Sequence, residues 1–293
     1  MISFNEINHL HVELTTACNA HCPACGRNNG GFGLKDGFKI RDLPFERFIE
    51  ICDTLPNLRI LQLCGNLGDP LAAKRIMDVV DEAIKRNLVI NIHTNGSLKT
   101  TDWWRNLGEK LYNTKHAIIF GIDGLEDTHS IHRQGTSFTK IIENAKSFID
   151  KGGNAEWRML MFKHNQHQVK DCLKLSQQLG FKKFYTRKSV RLPDVARHYQ
   201  TGEPYLIERA DNFIPLDLQK TLEPEDCFHL QNKSIFVDAS GFISACCNLS
   251  FLHKKQKILY DDNTLDTDII NGNAGENCRK FCSGFHIKNP NNI

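Results

Sequence analysis

Over residues 7–15 apolar and polar positions alternate. Leu10, Val12 and Leu14 fall on one side and His9, His11 and Glu13 on the other, the period of a strand. Pro44 then opens a helical stretch whose apolar stripe is Phe45, Phe48, Ile49 and Cys52. The alternation of types continues: strands are expected at 58–64, 88–95, 115–123, 155–162 and 182–188, and helices at 71–87, 101–112, 137–151 and 166–179. Asn95-Gly96 and Asp123-Gly124 end two of the strands with turn dipeptides.

Strands separated by helices imply an α/β fold with parallel strands and right-handed crossovers. An open doubly wound sheet and a partial barrel both fit this pattern. Either one puts the ligand site at the carboxyl ends of the strands. The periodicity stops near residue 189. Residues 189–226 carry four prolines and read as a connector, and 234–247 reads as a hairpin around Ala239-Ser240-Gly241. The expected division is 1–188 for the main α/β unit, 189–226 for the connector and 227–293 for a small module. That module is poor in apolar residues and would gain from a bound metal.

Composition narrows the classes. In 293 residues, 37 basic side chains face 34 acidic ones, so nothing marks the chain as a nucleic-acid coat. No apolar run is long enough to span a bilayer, and the start lacks a secretory pattern, so a cytoplasmic, membrane-free protein is expected. Eleven cysteines, an odd number, argue for metal or redox chemistry rather than disulfides.

Cys18, Cys22 and Cys25 lie just after the first strand in the spacing C-x3-C-x2-C. A structural zinc site asks for four ligands and the loop offers three thiols. A [4Fe-4S] cluster on three cysteines keeps one iron open for another ligand.

This motif, in this place before alternating helices and strands, resembles the radical S-adenosylmethionine (SAM) superfamily. The resemblance implies a partial (β/α)6 TIM-like barrel. It also implies a [4Fe-4S] cluster on Cys18, Cys22 and Cys25 whose open iron chelates SAM, and reductive cleavage of SAM to a 5′-deoxyadenosyl radical that removes a hydrogen atom from substrate. Further segments carry it. Gly65-Asn66-Leu67-Gly68-Asp69-Pro70 is similar to the family's glycine turn ending in Gly-Glu-Pro, with Gly65, Gly68 and Asp69 expected at the SAM ammonium. His93-Thr94-Asn95-Gly96 matches a Thr-Asn-Gly strand end, with Thr94 and Asn95 expected near ribose or substrate. Gly121-Ile122-Asp123-Gly124, followed by Arg133, is similar to a Ser-x-Asp-Gly strand end and its arginine, which would pair with the SAM carboxylate. Gly121 replaces the usual serine, and Ala24 replaces the usual aromatic residue before the third cysteine.

Later cysteines form two pairs. Cys227 and Cys246 flank the hairpin as C-x13-G-x4-C, and Cys278 and Cys282 follow. By spacing alone, zinc and iron–sulfur remain open. Resemblance to the SPASM/twitch branch implies an auxiliary [4Fe-4S] cluster on Cys227, Cys246, Cys278 and Cys282 in a twitch-like module. Cys247 would then face away.

Cys64, at a strand end, is a candidate hydrogen donor or a small core residue; Cys52 and Cys172 read as core. Glu13, Arg158, Tyr185, Arg187 and Lys188 sit on strands, and alternation puts only part of them in the cavity. His164 and His167 read as surface. The expected function is a radical SAM oxidoreductase or maturase. It would oxidise or crosslink a peptide or protein side chain, or act on a small molecule, and draw electrons from a partner such as flavodoxin or ferredoxin. Alternatives are modification of a nucleotide or RNA, and a non-catalytic iron–sulfur or zinc redox protein.

Overall fold

The computed structural model describes residues 4–112, 115–189, 191–211, 228–244 and 246–247. Six strands run parallel in sequence order: β1 (His9–Val12), β2 (Ile60–Leu63), β3 (Val89–Thr94), β4 (Ala117–Gly121), β5 (Ala155–Met161) and β6 (Lys183–Lys188). The helices α1 (Phe45–Asp53), α2 (Ile76–Lys85), α3 (Thr101–Lys110), α5 (Phe138–Ile149) and α6 (Val169–Gln178) lie between them, with a short α4 (Glu126–His132) ahead of α5. A strictly sequential order is that of a barrel. A doubly wound sheet would reverse direction from a central strand. The periodicity could not make this choice.

One face of the sheet is apolar. Leu10, Leu61, Leu63, Ile90, Ile92, Phe120 and Trp157 are all buried with Phe48, Val80, Trp104 and Phe148 of the helices in one core. Cys52 and Cys172 belong to that core, as their helix positions predict. The opposite face carries His9, His11, Gln62, His93, Arg158 and Tyr185, since alternate side chains of a strand point to opposite sides. This polar face is the inside of the partial barrel.

α4 has no counterpart in the sequence reading. It spans only seven residues, and its buried positions are Thr128, His129 and His132 rather than apolar side chains. No apolar stripe announces it.

The late hairpin joins the main sheet. β9 (Ser234–Val237) pairs in parallel with β1, placing His9 opposite Ser234, and β10 (Ile243–Ser244) continues antiparallel at the edge. The outer edge of β1 is therefore taken and β6 does not close on it; the order is β10-β9-β1-β2-β3-β4-β5-β6. Within the stretch read as a connector, β7 (Ala196–Arg197) and β8 (Pro204–Tyr205) form a second small sheet. Ala196 and Ile207 pack with Phe162 in a separate small core. No helix among the described residues is long and apolar enough to cross a membrane.

Candidate active site

The cysteine loop leaves the carboxyl end of β1 and folds through its own backbone. Cys25 N–H donates to Cys22 O at 3.1 Å, and Asn28 Nδ2 donates to the same carbonyl at 3.0 Å. Two donors reach the sulfur of Cys18: Ala20 N–H at 3.3 Å and Asn95 Nδ2 at 3.6 Å. Such donors suit a thiolate ligand. Arg27, buried beside the loop, donates from Nη1 to Cys18 O at 3.1 Å. With only protein around them, burial pushes the Cys18 thiol up to about 11 and the Cys22 thiol up to about 12. Deprotonation there needs a positive partner, and a cluster iron supplies one. Among the described residues no three His, Cys, Asp or Glu side chains gather where one ion could sit. A four-iron cluster makes no such demand, because each cysteine binds a different iron. The loop therefore fits the cluster.

The turn after β2 needs its glycines. A Cβ on Gly68 would lie 1.9 Å from Thr15 O, and one on Gly65 would lie 2.1 Å from Gly68 O. Glu13, at the end of β1, holds the turn from below by accepting from Leu67 N–H at 2.6 Å and Gly68 N–H at 3.2 Å. Burial dominates there and pushes the Glu13 carboxyl up to about 7. Asn66 Nδ2 reaches Cys247 O at 2.8 Å, tying the turn to the end of the late hairpin.

Asp69 is buried and works as a latch. Its carboxylate accepts from Leu71 N–H, from Thr94 Oγ1 and from Asn95 N–H. Burial still raises its pKa despite these donors. Asn95 in turn joins the cysteine loop: Nδ2 donates to Asn19 Oδ1 at 2.9 Å, while Oδ1 accepts from Ser97. Thr94 and Asn95 therefore bond the ends of β2 and β3 to the cysteine loop, and Asn19 and Ser97 complete a network that no sequence motif marks.

At the end of β4, Asp123 is fully buried and accepts from His132 Nδ1 at 2.8 Å, Arg133 Nε at 2.7 Å and Leu160 N–H at 2.9 Å. Burial alone would raise its pKa, but Arg133 and His132 outweigh it and hold the carboxyl far below the usual range. Arg133 thus gives Nε to Asp123, and its Nη nitrogens lie over Gly121. The cysteine loop is close enough for the guanidinium to favour the Cys22 thiolate.

The 191–211 segment clasps the loop through Gln134. Gln134 O accepts from His21 N–H at 2.8 Å. Its side chain donates to Arg197 O at 2.9 Å and Tyr205 Oη at 2.8 Å, and accepts from Tyr199 N–H. The His21 ring stacks on Tyr199 with centroids 5.1 Å apart. A cavity of about 840 Å³ opens beside this clasp, bordered by Asn19, Lys140, Tyr199 and Tyr205.

The chain is matched by the family model of the radical SAM superfamily over residues 12–176, more than half its length. It belongs to the radical SAM superfamily. A curated relative, the tungsten-containing aldehyde ferredoxin oxidoreductase cofactor-modifying protein of Pyrococcus furiosus, is 30% identical over 106 residues, which are 35% of this chain and 28% of that protein. The chain thus matches well under half of that relative's length. Among solved structures, Streptococcus suis SuiB bound to S-adenosylmethionine has a TM-score of 0.65 at 13% identity, covering 92% of this chain and 68% of SuiB. SuiB bound to its precursor peptide SuiA gives 0.59 at 13% identity, covering 97% and 68%. At these identities the likeness is one of fold.

In this radical SAM chain the remaining candidates sort by strand register. Cys64, after β2, is partly buried, and its thiol is pushed up by burial despite nearby Arg158 and Arg191. His11 contacts Cys64 O through Nε2 at 2.7 Å. Glu13, Arg158, Tyr185 and Arg187 share the inner face; Lys188 has the other parity. His164 is not a surface residue: it stacks on Phe162 with centroids 5.2 Å apart and both ring nitrogens buried, whereas His167 is exposed. Cys246 is buried after β10. Cys227, Cys278 and Cys282 lie outside the described residues.

Proposed function

We propose that the chain is a radical SAM enzyme that cleaves SAM reductively and abstracts a hydrogen atom from an unreactive carbon, oxidising or crosslinking a peptide or protein side chain or a small molecule. The observation that carries this is the junction of the cysteine loop with the ends of β2 and β3, where Asn95 bonds the Cys18 sulfur, Asn19 and Asp69 together. When bound, the 4Fe–4S cluster and SAM supply a 5′-deoxyadenosyl radical. The chain's own residues do the positioning. Cys18, Cys22 and Cys25 hold the cluster. The Gly65–Asp69 turn offers backbone carbonyls to an ammonium group, and the Nη nitrogens of Arg133 face a carboxylate. Asp69, Thr94, Asn95 and Asp123 fix these groups, and Thr94 and Asn95 stand at the strand end expected near ribose or substrate.

A second cluster on Cys227, Cys246, Cys278 and Cys282, in a twitch-like module, belongs to the same reading. The bond from Asn66 to Cys247 supports it, because it brings the Cys246 segment beside the SAM turn. A peptide substrate is favoured by the likeness in fold to SuiB, which has been solved with its precursor peptide.

The test is anaerobic reconstitution followed by iron and sulfide counting and incubation with SAM and dithionite. About eight irons per chain and release of 5′-deoxyadenosine are expected, and about four irons would remove the second cluster. Changing Cys18, Cys22 and Cys25 together to alanine abolishes cleavage, while Cys282→Ala spares part of it. Purified wild type that binds only zinc and leaves SAM intact overturns the reading.

A further inference from the structure

The inner face of the barrel carries an excess of positive charge. Arg158 on β5 stands level with Gly121 of β4 and Tyr185 of β6. Its Nη1 donates to Nδ1 of His93 at 3.1 Å, which requires that ring nitrogen to be unprotonated. Its Nε is buried and has no hydrogen-bond partner among the described residues. Two positions after Tyr185 on the same face comes Arg187, close enough to His93 and Tyr185 to act on both.

The carboxylates of this face are already engaged. Glu13 accepts from the 67–68 backbone, and Glu156 pairs with Lys183 at 2.7 Å. Asp69 and Asp123 are latched at the strand ends. The neighbouring titratable groups His9, His11, His93, Cys64 and Tyr185 bring no negative charge near neutral pH. Among the described residues neither of these two guanidinium groups has an ion-pair partner. Arg158 is half-buried with an orphaned N–H and gains from an anion that completes it, while Arg187, further along the same face, is exposed.

We propose that Arg158 and Arg187 receive an anionic group of the substrate, a carboxylate or phosphate, on the polar inner face of the barrel beside His93. This rests on the radical SAM reading for its role in catalysis, but the anion site itself does not. The substrate class is then a molecule with an acidic group near the carbon that loses hydrogen: an acidic peptide side chain, a chain carboxylate or a phosphorylated small molecule.

The reconstituted full-length protein is titrated calorimetrically with succinate, with inorganic phosphate and with neutral succinamide. Succinate or phosphate binds and succinamide does not. The Arg158→Gln/Arg187→Gln variant loses about tenfold in affinity, and Arg158→Lys/Arg187→Lys, which keeps the charge, loses less. SAM retention, measured by equilibrium dialysis on the same samples, separates the two possible owners of the arginines. If it falls in parallel with anion binding, they serve the SAM carboxylate and the proposal is overturned. The proposal also fails if no anion binds wild type, or if the Gln variant binds as tightly. Should wild type bind succinate or phosphate yet never cleave SAM, the radical reading falls and the anion site stands.

Discussion

The guanidinium of Arg133 occupies the space above Gly121 that a side chain would need: a Cβ there would sit 2.7 Å from Nη2 and 3.1 Å from Cζ. The absence of the family's usual serine is thus matched by an arginine that closes over the strand end. Gly121→Ser displaces the guanidinium. At an overpacking cost of about 1–3 kcal/mol, it weakens SAM binding by about tenfold or more in equilibrium dialysis. Unchanged SAM affinity would show that Arg133 does not reach the cofactor.

Asp123→Asn leaves Arg133 and His132 facing a neutral amide in a buried site. The expected loss is about 3–5 kcal/mol, read from denaturant melts. Adding Arg133→Met recovers part of it, so the double variant is less damaged than the sum of the two singles. The Asp123 carboxyl titrates below its ordinary value of 3.8 in the folded chain. Its contribution is therefore complete above that pH and is lost as the pH falls below it.

Glu13 has the opposite sign. Its folded value of about 7 lies above the ordinary 4.5, so the native state holds a proton that the unfolded chain has released. Stability then declines as the pH rises from 4.5 to 7 and stays at the lower level above that. Glu13→Gln keeps an acceptor for Leu67 and Gly68 and removes the slope. At pH values above this window the variant gains up to about 3 kcal/mol over wild type in urea melts. An identical pH slope in the variant would exclude Glu13 as its source.

Gln134→Leu removes the side-chain bonds to Arg197, Tyr199 and Tyr205 at once. The 191–211 segment becomes faster to cleave in limited proteolysis. The iron–sulfur absorbance of the reconstituted protein then bleaches faster in air than that of wild type. Tyr205→Phe, which loses the bonds at one hydroxyl, has a smaller effect of about 1 kcal/mol. Equal bleaching rates would show that the clasp does not shield the loop.

Much of the frame was legible because each strand and helix advertises itself locally. Leu10 and Val12 alternate with His9 and His11, and Phe45, Phe48 and Cys52 share a helix face. α4 was illegible because histidines, not apolar side chains, fill its buried positions. The pairing of β1 with β9 was illegible for a different reason: no local pattern encodes which distant edge a strand will meet. At the site, the resemblance to the family singles out Gly68, Asp69, Asn95, Asp123 and Arg133. It does not give their partners. Sequence alone offers Arg133 to a ligand, and only the fold shows its Nε already committed to Asp123. Arg158 and Tyr185 were candidates of unknown facing until the strand register put them on the inner side.

The seating of Ser234–Val237 against the first strand also sets the order in which the molecule can be completed. A nascent chain that has emerged only as far as β6 exposes an unpaired row of amides along His9–Val12, and such a row recruits other strands. A fragment ending at residue 188 is therefore expected to aggregate on refolding. Synthesis as far as Val237 is what seals the barrel's opening edge, so a truncation ahead of Ser234 would be felt at the first turn of chain that leads into the cysteines.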